Sequence, residues 1–289
     1  MSGNAKTISL RNIIGPALLT RPIPSTGEAL PVIGCGSYPA FNVSPRSAEF
    51  RRLPEVLNRL FEAGGSAIDT SPMYGRAEEI IGRLLQTGGN NKRAFLATKV
   101  WTRGRAAGIE QMQRSLALLG TDRIDLMQVH NLVDWRTHLD TLAGWKADGR
   151  VRYVGITHYA SSAFNDLAEI MEKNPLDFVQ LNYSLDDRVA EQRLLPLAKE
   201  RGIAVLVNRP FGGGSLIRAL ASRPLPDFAT AIGCTSWSQL LLTFVVAHPV
   251  VTCVIPGTGN PDHMADAMRS GASLHAEARD RILKWWPSR

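Results

Sequence analysis

Four side chains in this sequence of 289 residues have the types and spacing to move a proton to or from a carbonyl oxygen. Asp69 closes the run Ala67-Ile68-Asp69-Thr70, and Tyr74 follows five residues later. Lys99 ends an apolar run that starts at Phe95, and His130 ends another that starts at Asp125. Taken singly, three of them have ordinary explanations: Asp69 as a helix cap, Tyr74 as a packing aromatic, His130 as a hydrogen-bonded core histidine. Lys99 resists that treatment, because a lysine at the inner end of a buried segment needs a carboxylate partner, and Asp69 is the candidate. Together the four make coherent chemistry. An unperturbed tyrosine has a pKa of ~10, too high for easy proton exchange at neutral pH, and a neighbouring cation lowers it. Lys99 beside the phenol stabilises phenolate, Asp69 holds Lys99, and neutral His130 donates a hydrogen bond to a substrate carbonyl. Such a site lacks only a hydride.

The fold has to bring these residues together. Short β-branched runs alternate with stretches of helical spacing along the chain, the pattern of repeated βα units. Strands are predicted to begin near Val32, Ala67, Phe95, Asp125, Arg152, Phe178, Ala204 and Thr252, and eight is the number that closes an α/β fold of the (β/α)8 TIM-barrel type. In such a barrel the loops after the strands form the active face, where all four residues stand. Helices are predicted over 48–63, 77–86, 107–119, 135–148, 162–173, 189–201, 236–247 and 260–268, several of them stopped by glycine. Residues 21–30, with the turn Ser25-Thr26-Gly27-Glu28, predict a short N-terminal hairpin capping the bottom of the barrel. Residues 275–286 predict a C-terminal helix that docks Trp285 and Trp286 on the barrel wall. The organisation expected is an N-terminal extension over 1–20 and a single barrel domain over 21–289.

Composition narrows the function classes. Apolar residues make up 44% of the chain and charged residues 20%, so disorder and coiled coil are excluded. No run approaches the ~18 uninterrupted apolar residues of a membrane span, and Gly15 and Pro16 break the one stretch that resembles an export signal. The three cysteines, Cys35, Cys234 and Cys253, are too far apart to suggest a disulfide framework or a zinc site. A formal charge of +7 favours an anionic partner, and because the basic residues are scattered, a phosphate-bearing cofactor fits better than nucleic acid. The expectation is a cytoplasmic monomer acting on a small molecule, with no metal, no membrane and no nucleic acid.

The motifs carrying these residues are Asp69-Thr70-Ser71-Pro72-Met73-Tyr74-Gly75 with Glu78-Glu79 and Gly82, Thr98-Lys99-Val100-Trp101, Asp125-Leu126-Met127-Gln128-Val129-His130, and Gly149-Arg150-Val151-Arg152-Tyr153-Val154-Gly155. In this order they resemble the aldo-keto reductases, over about residues 20 to 273. The resemblance implies a catalytic tetrad of Asp69, Tyr74, Lys99 and His130 and reduction of aldehydes or ketones to alcohols, with NADPH giving the hydride and Tyr74 the proton. NADH is the alternative cofactor. In that family a Ser-Asn pair and a Gln hold the nicotinamide carboxamide; here the pair reads Thr157-His158, and Gln180 matches. Many members stack a tyrosine on the nicotinamide after the seventh strand, but this sequence has Val207-Asn208-Arg209-Pro210-Phe211-Gly212 there, so the ring is absent. Phe211 is then expected to wall the site and Arg209 to reach the pyrophosphate. Asn208, Gly212 and Ser215 complete that loop's contacts, and Gly36, Ser37 and Asp69 supply others.

After the eighth strand, Pro256, Gly257 and Thr258 lead into a helix whose N-terminus can receive the adenosine phosphate. The family's usual arginine there appears as His263, and its adenine-contacting glutamate and asparagine as Asp266 and Ala267, which weakens the case for NADPH over NADH. Tyr38, Phe41, Trp101 and Asn131 are expected to line the substrate mouth. Three other readings use the same residues or fold: oxidation of an alcohol or sugar, a nicotinamide-binding sensor or accessory subunit, and a phosphate-binding barrel isomerase.

Overall fold

A computed structural model describes residues 18–271 and 277–286. The chain enters through a hairpin, β1 (Thr20–Pro22) paired antiparallel with β2 (Ala29–Pro31). Eight parallel strands then lie side by side in chain order: β3 (Cys35–Gly36), β4 (Ala67–Asp69), β5 (Phe95–Val100), β6 (Ile124–His130), β7 (Val151–His158), β8 (Phe178–Asn182), β9 (Ala204–Asn208) and β10 (Val251–Val254). The sheet curls and closes on itself. The Gly34 N–H donates to the Val254 carbonyl at 2.9 Å and the Gly36 N–H to that of Pro256 at 3.0 Å, with parallel bridges at Ile33–Val254 and Gly36–Gly257. This is the expected (β/α)8 barrel. The first strand is shorter than predicted because its residues before Cys35 meet the eighth only through these isolated contacts.

Between and after the strands run α1 (Leu53–Glu62), α2 (Ala77–Gly88), α3 (Arg105–Leu119), α4 (Trp135–Ala147), α5 (Phe164–Lys173), α6 (Leu194–Arg201), α7 (Ser215–Leu220), α8 (Trp237–Val246), α9 (Pro261–Arg269) and α10 (Ala278–Trp285). Two predicted helices begin late, each for a proline. Pro54 and Pro196 lack an N–H and fit only the first turn, so α1 and α6 start just before them, and 3-10 turns at Phe50–Arg52 and Val189–Glu191 fill the remainder. The short helix α7 was not predicted.

Strand alternation sorts the residues into two cores. One face of each strand packs against the helices. The other points into the barrel, where Phe95, Ala97, Leu126, Tyr153, Phe178, Ala204, Leu206 and Cys253 form an apolar lower layer plugged from below by Ile23 and Leu30 of the hairpin. The Tyr153 hydroxyl donates to Glu28 in the hairpin turn at 2.5 Å, and Arg152 pairs with Glu28 and with Asp125 at 2.7 Å. Arg21 donates to the carbonyls of Val246 and His248 at 2.7 Å, at the end of α8, tying the hairpin to the wall. The bottom cap expected from the sequence is therefore present.

Helix α10 docks as expected. Trp285 lies 5.7 Å from the Trp237 ring, and Arg279 bonds Glu191 at 2.6 Å. The predicted start of that helix at His275, most of the N-terminal extension and its signal-like stretch lie outside the described residues. Among the described residues no helix is long and apolar enough to cross a membrane.

Candidate active site

Two residues further along each inward-facing row the side chains turn polar. Ala67 leads to Asp69, Ala97 to Lys99, Leu126 to Gln128 and His130, Phe178 to Gln180, and Leu206 to Asn208. The same alternation that fills the lower barrel thus puts the polar layer at its upper mouth, around a cavity of about 610 Å³. A Cβ at Gly155 would come within 2.8 Å of the Phe178 carbonyl and 3.2 Å of Gln128, so only glycine lets the two layers meet there.

At the centre, Lys99 Nζ donates to both Asp69 oxygens at 2.8 and 2.7 Å and to the Thr70 carbonyl at 2.7 Å, which uses its three protons. Lys99 is wholly buried. Burial alone would discharge it, but the attraction of Asp69 and the Tyr74 phenol prevails and holds its pKa above the ordinary lysine range. Asp69 Oδ1 also accepts from Gln180 Nε2 at 2.8 Å and from Gln128 Nε2 at 3.4 Å. Lys99 Nζ sits 5.2 Å from the centroid of the Tyr74 ring.

The phenol differs from the expectation of a lowered pKa. Its burial outweighs the attraction of Lys99, so the pKa is raised and Tyr74 rests as a neutral proton donor. His130 meets the Tyr74 ring edge-on at 5.9 Å. Burial and the Lys99 charge push its pKa down to about 2, so the ring is neutral. Its Nδ1 lies 2.9 Å from the Ser71 hydroxyl.

The expected cofactor residues fall into two sets. Gly36, Ser37, Thr157, Gln180, Asn208, Arg209, Phe211 and Gly257 line the cavity or its rim with Asp69, Tyr74 and His130, while Lys99 lies buried behind them. Thr157 Oγ1 donates to Gln180 Oε1 at 2.9 Å, so the expected carboxamide partners already hold one another. His158 turns aside, its ring stacked on Tyr159 at 5.5 Å and its Nδ1 accepting from the Ala160 N–H at 3.1 Å. Arg209 adopts a left-handed backbone, φ 50°, uncommon for a side chain of its bulk, with its guanidinium 5.6 Å above the Tyr159 ring. Gly212 and Ser215 frame that loop, Ser215 Oγ donating to the Gly212 carbonyl at 2.7 Å.

The second set stands away from the cavity. The Pro256 carbonyl is spent on barrel closure, and Thr258 Oγ1 accepts from the Asn260 N–H at 3.0 Å. Asn260 caps α9 by accepting from the Asp262 N–H at 2.9 Å, and Pro261 has no N–H, so this helix start offers fewer free donors than expected. His263 is exposed on α9. Asp266 accepts from Ser236 at 2.5 Å, Gln239 at 2.7 Å and Arg269 at 2.7 Å, which commits its carboxylate to the start of α8.

Of the substrate residues, Tyr38 is exposed with its ring 5.0 Å from that of Tyr74, Trp101 stands 6.4 Å from His130, and Asn131 lines the cavity. Phe41 requires correction. Its N–H bonds the Ser37 carbonyl at 2.9 Å, turning the loop back so that the apolar ring is wholly buried in the core and does not line the mouth. Sequence reasoning missed Gln128, Tyr159, Met73 and the Ser71–His130 contact. Gln128 was findable, since it precedes His130 by one strand repeat and shares its face; the others depend on loop conformation.

The residues present fit a nicotinamide dinucleotide. Around the mouth the buried polar atoms Ser37 Oγ, Asn131 Oδ1 and Asn208 Oδ1 have no hydrogen-bond partner, the mark of groups kept for a ligand. A Cβ on Gly257 would come within 2.8 Å of the Tyr38 carbonyl and 3.3 Å of that of Gly36, so glycine is what lets the chain after β10 pack against the loop after β3 at the rim of the mouth.

The chain belongs to the aldo/keto reductase family, whose sequence profile matches residues 32–284. It is 28% identical over 226 residues to aldo-keto reductase YhdN of Bacillus subtilis, covering 73% of this chain and 66% of that protein. It is 32% identical over 175 residues to aldo-keto reductase str7 of Strobilurus tenacellus, covering 56% of this chain and 51% of that one. The chain thus spans less than two thirds of the length of both relatives. Its fold superposes on the crystal structure of an aldo-keto reductase from Klebsiella pneumoniae in complex with NADPH with a TM-score of 0.80 at 24% identity, over 94% of this chain and 96% of that one.

Proposed function

We propose that this protein reduces small aldehydes or ketones to alcohols with NADPH as the hydride source and Tyr74 as the general acid. The observation that carries the reading is the Asp69–Lys99 pair buried beneath a neutral Tyr74 phenol, with a neutral His130 across the same mouth. When bound, NADPH supplies the hydride that adds to the carbonyl carbon. Ser37, Asn131 and Asn208, whose side-chain oxygens have no partner, would hold it, with Arg209 against the pyrophosphate. The likeness to a barrel crystallised with NADPH supports that choice of cofactor.

The substrate oxygen lies between Tyr74 and His130. As it gains negative charge, His130 donates a hydrogen bond and the phenol gives up its proton. Lys99 then offsets the charge left on Tyr74, and Asp69 keeps Lys99 in place. Gln180 and Thr157, bonded to each other at 2.9 Å, would hold the carboxamide. The same residues run in reverse would oxidise an alcohol. Tyr38, Met73 and Trp101 give the mouth an apolar rim suited to small aromatic or aliphatic carbonyls, and the protein acts as a cytoplasmic monomer.

The test follows NADPH absorbance against a carbonyl panel. Tyr74→Phe keeps the ring and removes the proton donor, so kcat falls ~10²-fold or more while NADPH affinity is nearly unchanged. A variant that keeps more than about a tenth of wild-type turnover overturns the assignment.

A further inference from the structure

A neutral imidazole carries its proton on one of two nitrogens, and only one arrangement lets His130 donate to a carbonyl in the mouth. Nδ1 is engaged by Ser71 Oγ at 2.9 Å. Among the described residues Nε2 has no partner, and it is not one of the side-chain atoms sealed away without one, so it is the nitrogen left to the cavity. If Nε2 carries the proton it is a donor toward substrate. If Nδ1 carries it, a lone pair faces the carbonyl oxygen and repels it.

Ser71 decides between these. It is wholly buried, and its oxygen also receives the Met73 N–H at 3.3 Å. A hydroxyl has one proton and two lone pairs. With one lone pair taken by Met73, donation to Nδ1 leaves every group in the chain Met73–Ser71–His130 satisfied. The opposite tautomer makes Ser71 accept twice, and its own proton then has no acceptor among the described residues. Stranding a buried donor in this way disfavours that tautomer by roughly tenfold or more in population.

We infer that Ser71 is a positioning residue that sets the tautomer of His130, holding the proton on Nε2 and keeping the ring a hydrogen-bond donor to the carbonyl. The role of His130 rests on the proposed reductase reading; the tautomer itself does not.

The experiment is nitrogen NMR on protein labelled with ¹⁵N-histidine, with the His130 signal assigned by its loss in His130→Gln. In the wild type the His130 Nε2 is protonated and Nδ1 is not. Ser71→Ala shows a mixture of the two forms and a kcat lowered about tenfold, with NADPH affinity and melting temperature close to wild type. Ser71→Thr, which keeps the hydroxyl, recovers most of the loss and the wild-type tautomer. A wild-type ring protonated on Nδ1 overturns the inference whatever the variants do, and so does a Ser71→Ala kcat within about twofold of wild type. The spectrum needs no turnover, so a failure of the reductase reading in the Tyr74→Phe test is told apart from a failure here.

Discussion

Replacing Asp69 with Asn keeps the shape of the buried pair and removes its negative charge. Lys99 has no solvent exposure, and two of its three hydrogen bonds go to Asp69. In Asp69→Asn it keeps the Thr70 carbonyl and a neutral amide, which do not compensate an ammonium out of water. Breaking one side of a buried pair costs about 3–5 kcal/mol. For a domain of this length each kcal/mol moves Tm by ~2–3 °C, so the variant melts about 6–15 °C lower at neutral pH.

The pH dependence carries the sharper signature. In the wild type the folded-state pKa of Lys99 is raised, so its contribution is fully present below the ordinary lysine value of ~10.4 and is lost only as pH climbs through the raised one. Between about pH 7 and pH 9.5 this group leaves wild-type stability flat. In the variant, burial is opposed only by the Tyr74 phenol and the Thr70 carbonyl, and without the Asp69 charge it pulls the folded-state pKa below the unfolded value. The unfolded chain then binds more protons, and stability rises with pH. The Tm deficit therefore narrows between about pH 7 and pH 9.5, as followed by circular dichroism. Adding Lys99→Met to Asp69→Asn recovers part of the loss, because it removes the stranded charge. A variant destabilised by less than about 1 kcal/mol, or a deficit that widens with pH, refutes the argument from burial.

Two further outcomes are expected. Chelators leave carbonyl-reducing activity unchanged, because His130 acts as a hydrogen-bond donor; activity lost to a chelator and restored by zinc would make it a metal ligand. His263→Arg puts a fixed charge on the first turn of α9 and raises the preference for NADPH over NADH, read by titrating both cofactors against tryptophan fluorescence. An unchanged preference removes position 263 from the 2′-phosphate site.

The sequence by itself determined the barrel and the strand-end positions of Asp69, Lys99 and His130, because these follow from periodicity along the chain, whereas grouping them with the loop residue Tyr74 as a tetrad is what the family resemblance implies. Alternation in each strand is local, so apolar rows ending in Asp69, Lys99 and His130 are readable before any contact is known, and the barrel sends all strand ends to one face. Helix starts at Pro54 and Pro196 are equally local, and were misplaced only because apolar spacing was followed past the proline. Tertiary structure decided what depends on how loops return to the barrel. Phe41 looks like a mouth residue in the chain and is core in the fold, since one backbone bond to Ser37 turns its ring inward. Asp266 looks like an adenine contact and is bound by Ser236 and Gln239 from another helix. The resting state of Tyr74 was likewise undecidable from residue types, because a cation next to a phenol lowers its pKa and burial raises it. Only the packed structure sets their relative size, and here burial prevails.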